Sequence, residues 1–205
     1  TMRNAHKILL VGDYILYQLT GRYCTDIANA ASTMMYSLET DAWDETLVTL
    51  AGARLDQMPP IMQSAQTLGP LTTRAAAALD LPPGIPVAVG GFDQCCAAIG
   101  ARSLRAGQSL LSCGSAWVIT HNVEAPVIDD LRRVWVQRHT IPGKWAVLAV
   151  MSNGGVVVDW VLQHLAGSDS VQRDDVRAAL FERIRELPPS AGKMLFLPHF
   201  IGAAS

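Results

Sequence analysis

The sequence predicts an α/β or α+β fold assembled from two successive segments. Three observations carry that reading. Residues 86–101 run as a short apolar strand, a glycine turn and a small-residue helix. Past about Ala106 the pattern becomes strand, tight turn, strand, hairpin, helix, helix, strand, and such mixtures of strands and helices belong to the α/β and α+β classes. Half of the 205 residues are hydrophobic and 17% are charged, enough for a sizeable core and too little charge for disorder. The length suits one ordinary domain or two small or incomplete ones.

The elements follow in order. Asp13, ahead of the apolar stripe Tyr14, Ile15, Tyr17 and Leu19 and the stop at Gly21, predicts a short helix with Asp13 as its N-cap. Residues 26–33, rich in Asp, Asn, Ser and Thr, predict a loop with local side-chain caps. Trp43, Leu47 and Leu50 sit at helical spacing and end near Gly52, and Pro59-Pro60 breaks the chain. Residues 72–81 predict an alanine-rich helix closed by Pro82-Pro83-Gly84. Residues 86–90 (Pro-Val-Ala-Val-Gly) predict a buried strand, and Asp93 opens the helix that follows. Residues 108–113 and 116–121 predict two strands joined by a tight Gly114-Ser115 turn. Residues 133–140 and 145–151 flank Pro142-Gly143-Lys144 and predict a hairpin. Asn153-Gly154-Gly155 leads into an apolar helix through Val157, Val158, Val161, Leu162 and Leu165. A second helix over 174–187 places Val176, Leu180, Ile184 and Leu187 on one face, and residues 194–197 predict a last strand.

Composition narrows the function. The net charge is −2 and Lys and Arg are scattered, so no basic stripe marks a nucleic-acid or acidic-membrane partner. The four cysteines, Cys24, Cys95, Cys96 and Cys113, form no CxxC pair and have no His at zinc-ligand spacing. They read as small buried thiols in a reducing compartment. No signal-peptide pattern opens the chain, and the longest apolar run, over 145–151, is too short to cross a bilayer. The expectation is a soluble cytoplasmic protein.

Three segments could carry chemistry. Gly90-Gly91-Phe92-Asp93-Gln94 puts an acid at a strand end, where ligands bind in open α/β sheets. On pattern alone, Asp93 is more simply a helix cap, and the glycines do not fit the GxGxxG fingerprint. Ser112-Cys113-Gly114-Ser115 could present N–H groups and a hydroxyl to a phosphate, although an ordinary tight turn is the commoner case. Asn153-Gly154-Gly155 stands before a helix, where phosphate is attracted and glycine permits close approach; the plain alternative is a flexible joint. Each signal alone is weak. Together, an acid and two glycine turns at successive strand ends suggest phosphoryl transfer.

A longer series of motifs carries a resemblance. Asp13-Tyr14-Ile15, Leu19-Thr20-Gly21, Thr25-Asp26-Ile27-Ala28-Asn29-Ala30, Trp43-Asp44, residues 86–94, Gly114-Ser115, Asp159-Trp160 and Phe196-Leu197-Pro198 together resemble, in order and spacing, the FGGY carbohydrate kinases, xylulokinases and glycerol kinases among them. The resemblance spans nearly the whole chain. It implies two actin-like (RNase H-like) domains with the active site in the cleft between them, of which this chain holds the middle portion. Residues 1–105 would be the later part of the N-terminal, substrate-side domain. Residues 106–205 would begin the C-terminal, nucleotide-side domain.

The resemblance also implies roles. Asp93 matches the catalytic base and contacts substrate, Gln94 matches the residue touching substrate hydroxyls, Gly114 and Ser115 match the phosphate-contacting turn, and Gly155 matches a nucleotide-contacting glycine. ATP and Mg²⁺ are the implied cofactors, with no metal ligand assigned among these residues. A small sugar or polyol is the implied partner, neither nucleic acid nor membrane is, and a homodimer is left open. Ser115 replaces the usual Thr and keeps the hydroxyl. Trp117 and Arg102 stand where the family prefers small residues, and Gly202-Ala203-Ala204 replaces the Gly-Glu-Arg of xylulokinases. The family's N-terminal phosphate hairpin and its adenine-binding glycine loop have no counterpart in these residues, so the chain by itself is expected to be inactive. The expected activity is ATP-dependent phosphorylation of a ketopentose such as xylulose. The alternative is a non-catalytic sugar-binding or regulatory relative; an actin-like structural ATPase fits Asp93-Gln94 poorly.

Overall fold

A computed structural model describes residues 4–164, 173–188, 196–197 and 199–200. In chain order the elements are α1 (Val11–Thr20), β1 (Thr25–Asp26), α2 (Ile27–Ser32), β2 (Tyr36–Ser37), β3 (Ala42–Trp43), α3 (Glu45–Leu50), a 3₁₀ turn (Leu55–Gln57), β4 (Ile61–Met62), β5 (Thr67–Pro70), α4 (Thr73–Leu79), β6 (Pro86–Ala88), α5 (Asp93–Gly100), β7 (Ser109–Cys113), β8 (Trp117–Val123), β9 (Trp135–Arg138), β10 (Trp145–Met151), α6 (Gly155–His164) and α7 (Arg173–Arg185). β1 pairs with β4 in parallel, and β2 with β3 and β5 with β6 antiparallel. The larger sheet has the order β7-β8-β10-β9, its β9–β10 hairpin pairing Arg138 with Trp145. The chain forms two compact units, Thr1–Leu110 with Thr120–Leu148, and Leu111–Ile119 with Ala149–Ser205.

In the first unit, short elements enclose several small cores. Cys24, Leu68 and Val89 form one with Leu16 and Met62. Ile27, Ala30 and Tyr36 form another, with Trp43 and Ile61 against it. Leu71, Ala75 and Ala76 close a third between α1 and α4, using Leu19 and Val87. The β2–β3 hairpin is tied to β9 through Asp41, whose carboxylate accepts from the Tyr36 hydroxyl and from the Arg138 guanidinium. Arg138 in turn lies 3.8 Å over the Trp145 ring, a cation–π contact.

Local chemistry explains where the structure departs from the sequence reading. Asp13 is not the cap of α1. The helix begins a turn earlier, because the Tyr14 N–H already donates to the Leu10 carbonyl. Asp13 therefore sits inside the first turn, where its carboxylate accepts from the Leu10 N–H at 2.9 Å. Gly21 ends the helix in the left-handed conformation, at φ 72°. Residues 26–33 are not a loop. Asp26 caps α2 by accepting from the Ala28 and Asn29 N–H groups, and Ile27, Ala28 and Ala30 bury one face. Polar residues that signal a loop in isolation here serve a short helix. Trp43 belongs to β3, and α3 begins only after the Asp44 cap. β6 is not buried: Pro86 and Ala88 are exposed, and among the described residues β5 is its sole strand partner.

The 108–113 and 116–121 strands, the Gly114-Ser115 turn and the hairpin at Pro142-Gly143-Lys144 appear as β7, β8, β9 and β10. Gly143 supplies the positive φ the hairpin needs. Val176 and Leu180 of α7 are half-buried, but Ile184 and Leu187 are exposed, so the expected apolar face is covered only in its first turns. Of the strand expected over 194–197, Met194 and Leu195 lie outside the described residues, and Phe196 and Leu197 are not in a strand.

Candidate functional site

The acid-bearing turn lies in the first unit. β6 ends at Ala88, Val89 is buried, and Gly90-Gly91-Phe92 leads into α5. Phe92, not Asp93, is the N-cap, and it makes no side-chain cap bond. Asp93 is the first helical residue. It is exposed, and its Oδ1 accepts the Gln94 N–H at 2.7 Å while Oδ2 has no hydrogen bond among the described residues. A carboxylate with one unengaged oxygen, open to solvent at a helix N-terminus, can accept a proton from a bound hydroxyl. Gln94 is half-buried, and its Oε1 is enclosed without a hydrogen-bond partner.

A pocket of about 460 Å³ opens beside this turn, within the same unit. It is bounded by the start of α1 (Leu10, Gly12, Asp13), by Asp26, Asn29 and Ser32 of the α2 region, and by Gly90 and Gly91. Burial pushes the Asp13 carboxyl above the usual range, against the lowering effect of the Leu10 N–H. Asp26 is spent on capping α2 and on accepting from the Asn29 amide. Burial also raises the Cys96 thiol, and the carboxylates of Asp26 and Asp93 add to that effect, so both acids lie near the first turn of α5. The pocket thus sets amide, hydroxyl and carboxyl groups among the apolar side chains of Val11, Ile15, Leu16 and Ala88, which suits a small ligand with both hydroxyls and C–H surface. Asn29, Ser32 and Asp13 were not singled out from the sequence as ligand-binding. They come from helices distant from Gly91 in the chain, and only folding brings them there.

The second unit holds the glycine turns. Gly114, Ser115 and Gly155 line one pocket of about 320 Å³ together with Trp117, Asp159, Arg177 and Phe181. The first N–H groups of α6 are already engaged. Gly154 donates to the Ser115 carbonyl at 3.0 Å and Gly155 to the Gly114 carbonyl at 2.9 Å. A Cβ on Gly155 would stand 2.7 Å from the Gly114 oxygen, so only glycine fits. The Ser115 N–H and hydroxyl, by contrast, have no partner among the described residues. Arg177 lines the same wall and is paired with Asp159 at 2.5 Å, so its charge there is balanced by a carboxylate. It lies on α7, too far along the chain for any spacing pattern to reveal. Among the described residues no group of three or more His, Cys, Asp or Glu could hold a metal ion, and no helix is long and apolar enough to cross a membrane.

Residues 1–100 match the sequence model for the N-terminal domain of the FGGY family of carbohydrate kinases. The match takes in nearly the first half of the chain. It is 28% identical over 193 residues to an autoinducer-2 kinase of Escherichia coli (strain K12), covering 92% of this chain and 36% of that protein. An autoinducer-2 kinase of Salmonella paratyphi B is 27% identical over 191 residues. The chain therefore spans about a third of the length of these relatives. Among solved structures, the xylulose kinase from Rhodospirillum rubrum matches at 29% identity with a TM-score of 0.85, over 97% of this chain and 40% of that one. A ligand-bound xylulose kinase from Lactobacillus acidophilus matches the fold equally well, with a TM-score of 0.85 at 24% identity over 97% of this chain and 39% of that one. The fold of this chain is accordingly part of the actin-like α/β fold of those kinases.

Proposed function

We propose that the protein to which this chain belongs transfers the γ-phosphoryl group of ATP to a hydroxyl of a sugar or polyol, most simply a ketopentose such as xylulose. The exposed carboxylate of Asp93 carries the reading. It stands at a strand-turn-helix junction beside a pocket that holds polar groups among apolar walls, in a chain whose first 100 residues match a family of carbohydrate kinases. Asp93 accepts the proton of the attacking hydroxyl through its unengaged oxygen, and Gln94 and the pocket groups orient the substrate. Residues 1–105 serve the substrate and 106–205 the nucleotide.

On the nucleotide side, the free Ser115 N–H and hydroxyl are the phosphate donors, and Gly114 and Gly155 keep the backbone close enough for contact. The engaged N–H groups of α6 leave this work to Ser115 rather than to the helix terminus. Bound with the nucleotide, Mg²⁺ would neutralise phosphate charge, as it does when held chiefly by substrate phosphates and few carboxylates. The proposed setting is the cytoplasm, where ATP is available.

The test is sugar-dependent ADP formation by the whole protein, with xylulose, glycerol, gluconate and autoinducer-2 compared side by side. Turnover with xylulose supports the reading in full. Turnover with autoinducer-2 alone keeps the kinase and replaces the substrate. No turnover with any of them, together with measurable sugar binding, would favour a non-catalytic sugar-binding relative instead.

A further inference from the structure

Gly91, two residues before Asp93, is not in the left-handed region, so its backbone conformation does not demand glycine. Space does. A Cβ at this position would stand 2.7 Å from both Oγ1 and Cγ2 of Thr140 and 3.1 Å from Oγ of Ser64. These side chains arrive from separate places in the first unit, and each is anchored on its own. Ser64 precedes Ala65 and Gln66, which pair with Val89 through Ala65 N–H to Val89 O at 2.9 Å and Val89 N–H to Gln66 O at 2.8 Å. Thr140 follows β9 at the base of the hairpin. Its neighbour His139 is buried, donates its N–H to the Lys144 carbonyl at 3.0 Å, and takes the Ile141 N–H on Nδ1 at 2.9 Å. Ser64 Oγ is buried with no hydrogen-bond partner among the described residues, while the Thr140 side chain lies within hydrogen-bonding reach of the Cys95 and Cys96 thiols at the start of α5. Neither side chain hydrogen-bonds to Gly91. What they do make is a tight steric bracket around one glycine.

We infer that Thr140 and Ser64 are positioning residues that clamp the Gly90–Phe92 turn and thereby set the direction of Asp93. The inference rests on Asp93 being the base. The clamp acts on the backbone entering α5, whose first helical bond runs from the Cys96 N–H to the Phe92 carbonyl at 2.9 Å. Shifting Gly91 tilts that turn and the carboxylate with it, and misplacement of a reacting group by about 1 Å can cost roughly 100-fold in rate. ATP contacts on the second unit are untouched by such a shift, so the loss belongs in kcat and not in the KM for ATP.

The experiment is a double-mutant cycle in the whole protein: Gly91→Ala, Thr140→Ala, and the two together. Gly91→Ala is expected to lower kcat by about 10- to 100-fold with the KM for ATP changed less than about 2-fold. It should also speed hydrogen exchange at the Cys96 amide. Thr140→Ala in that background removes both 2.7 Å obstacles and should return kcat and the exchange rate most of the way to the parent. A double variant no better than Gly91→Ala overturns the clamp. So does a Gly91→Ala protein with unchanged kcat and unchanged Cys96 exchange. If exchange is rescued while kcat is not, the contact is structural only and the positioning role fails. If the parent shows no sugar-dependent turnover, the proposed function falls by itself, and unchanged Cys96 exchange in Gly91→Ala still counts against the clamp.

Discussion

Around Gly91 the atoms that would meet a side chain belong to Thr140 and Ser64, whereas around Gly155 they belong to the backbone of Gly114 and Ser115. Both glycines sit beside residues proposed for phosphoryl transfer, and both are there for lack of room, not for a rare φ. The difference lies in what can yield. A side chain can be trimmed or can rotate, but a carbonyl oxygen within a turn cannot move without remaking the turn. Gly154 falls between the two cases: a Cβ there would stand 2.3 Å from Trp117 Cδ1, so its obstacle is a large side chain within the second unit. The acid-bearing turn is therefore adjustable by mutation, and the Gly114-Ser115 turn is rigid in its backbone.

The largest effect should come from the residue that the adjustable turn carries. Asp93→Asn keeps size and removes the proton acceptor, so turnover of the whole protein should fall by roughly 10²–10⁴-fold. The melting temperature should hardly move, because Asp93 is exposed and Phe92, not Asp93, is the helix cap. Side-by-side measurement of ADP formation and thermal unfolding decides it. Turnover within a few-fold of the parent would end the assignment of Asp93 as base.

Gly155→Ala probes the rigid turn. Overpacking against backbone should destabilise by about 1–3 kcal/mol and weaken nucleotide binding, read by denaturant unfolding and ADP titration. Trimming a neighbouring side chain, as in Ser115→Ala, should recover none of the stability. Any such recovery would erase the contrast drawn here.

Gly154→Ala should cost a similar or smaller amount, and Trp117→Ala should give part of it back. The coupling energy between the two should be on the order of 0.5–3 kcal/mol, as for residues in contact. Strict additivity of the two changes would show that Trp117 is free to move aside, and that the second unit is softer than its contacts suggest.

The smallest effect concerns pH, at the pocket beside Gly91. Burial raises the Asp13 carboxyl in the folded protein above its unfolded value. The folded state then holds its proton more tightly, so this group's contribution to stability is greatest at low pH and declines as pH rises through the unfolded value of about 3.8 toward the folded one. Asp13→Asn removes that decline and can still accept from the Leu10 N–H. The melting temperature of Asp13→Asn relative to the parent should rise between about pH 4 and pH 7. A difference that is flat with pH would mean that Asp13 is not desolvated in solution.

Much of this molecule can be read one short stretch at a time. The Gly21 stop of α1, the Thr72 cap of α4, the Gly114-Ser115 turn and the Gly143 hairpin all depend on residues within a few positions of one another. The acid at residue 93 was visible for the same reason, as a strand, two glycines and a helix in close succession. Reading failed where a residue has two local uses. Asp26 and its polar neighbours suit a loop as well as a helix start, and only the burial of Ile27, Ala28 and Ala30 selects the helix. The buried strand expected at residues 86–90 failed differently: apolar residues in a row do not say how many strands lie beside them, and among the described residues β6 has only β5.

The sequence alone was enough for the elements from residue 86 to the β9–β10 hairpin, for α1, α4 and their stops, for the family resemblance, and for the acid and the hydroxyl proposed for the site. Caps, turns and short strands are set by bonds between near neighbours, and those leave a trace in composition and spacing. The tertiary structure alone decided that Thr140 and Ser64 meet at Gly91, that Arg177 reaches Asp159, and that the first N–H groups of α6 are spent on Gly114 and Ser115. Those contacts join residues from 18 to about 50 positions apart in the chain. No periodicity records such a meeting, because it depends on the path of the backbone through every intervening element.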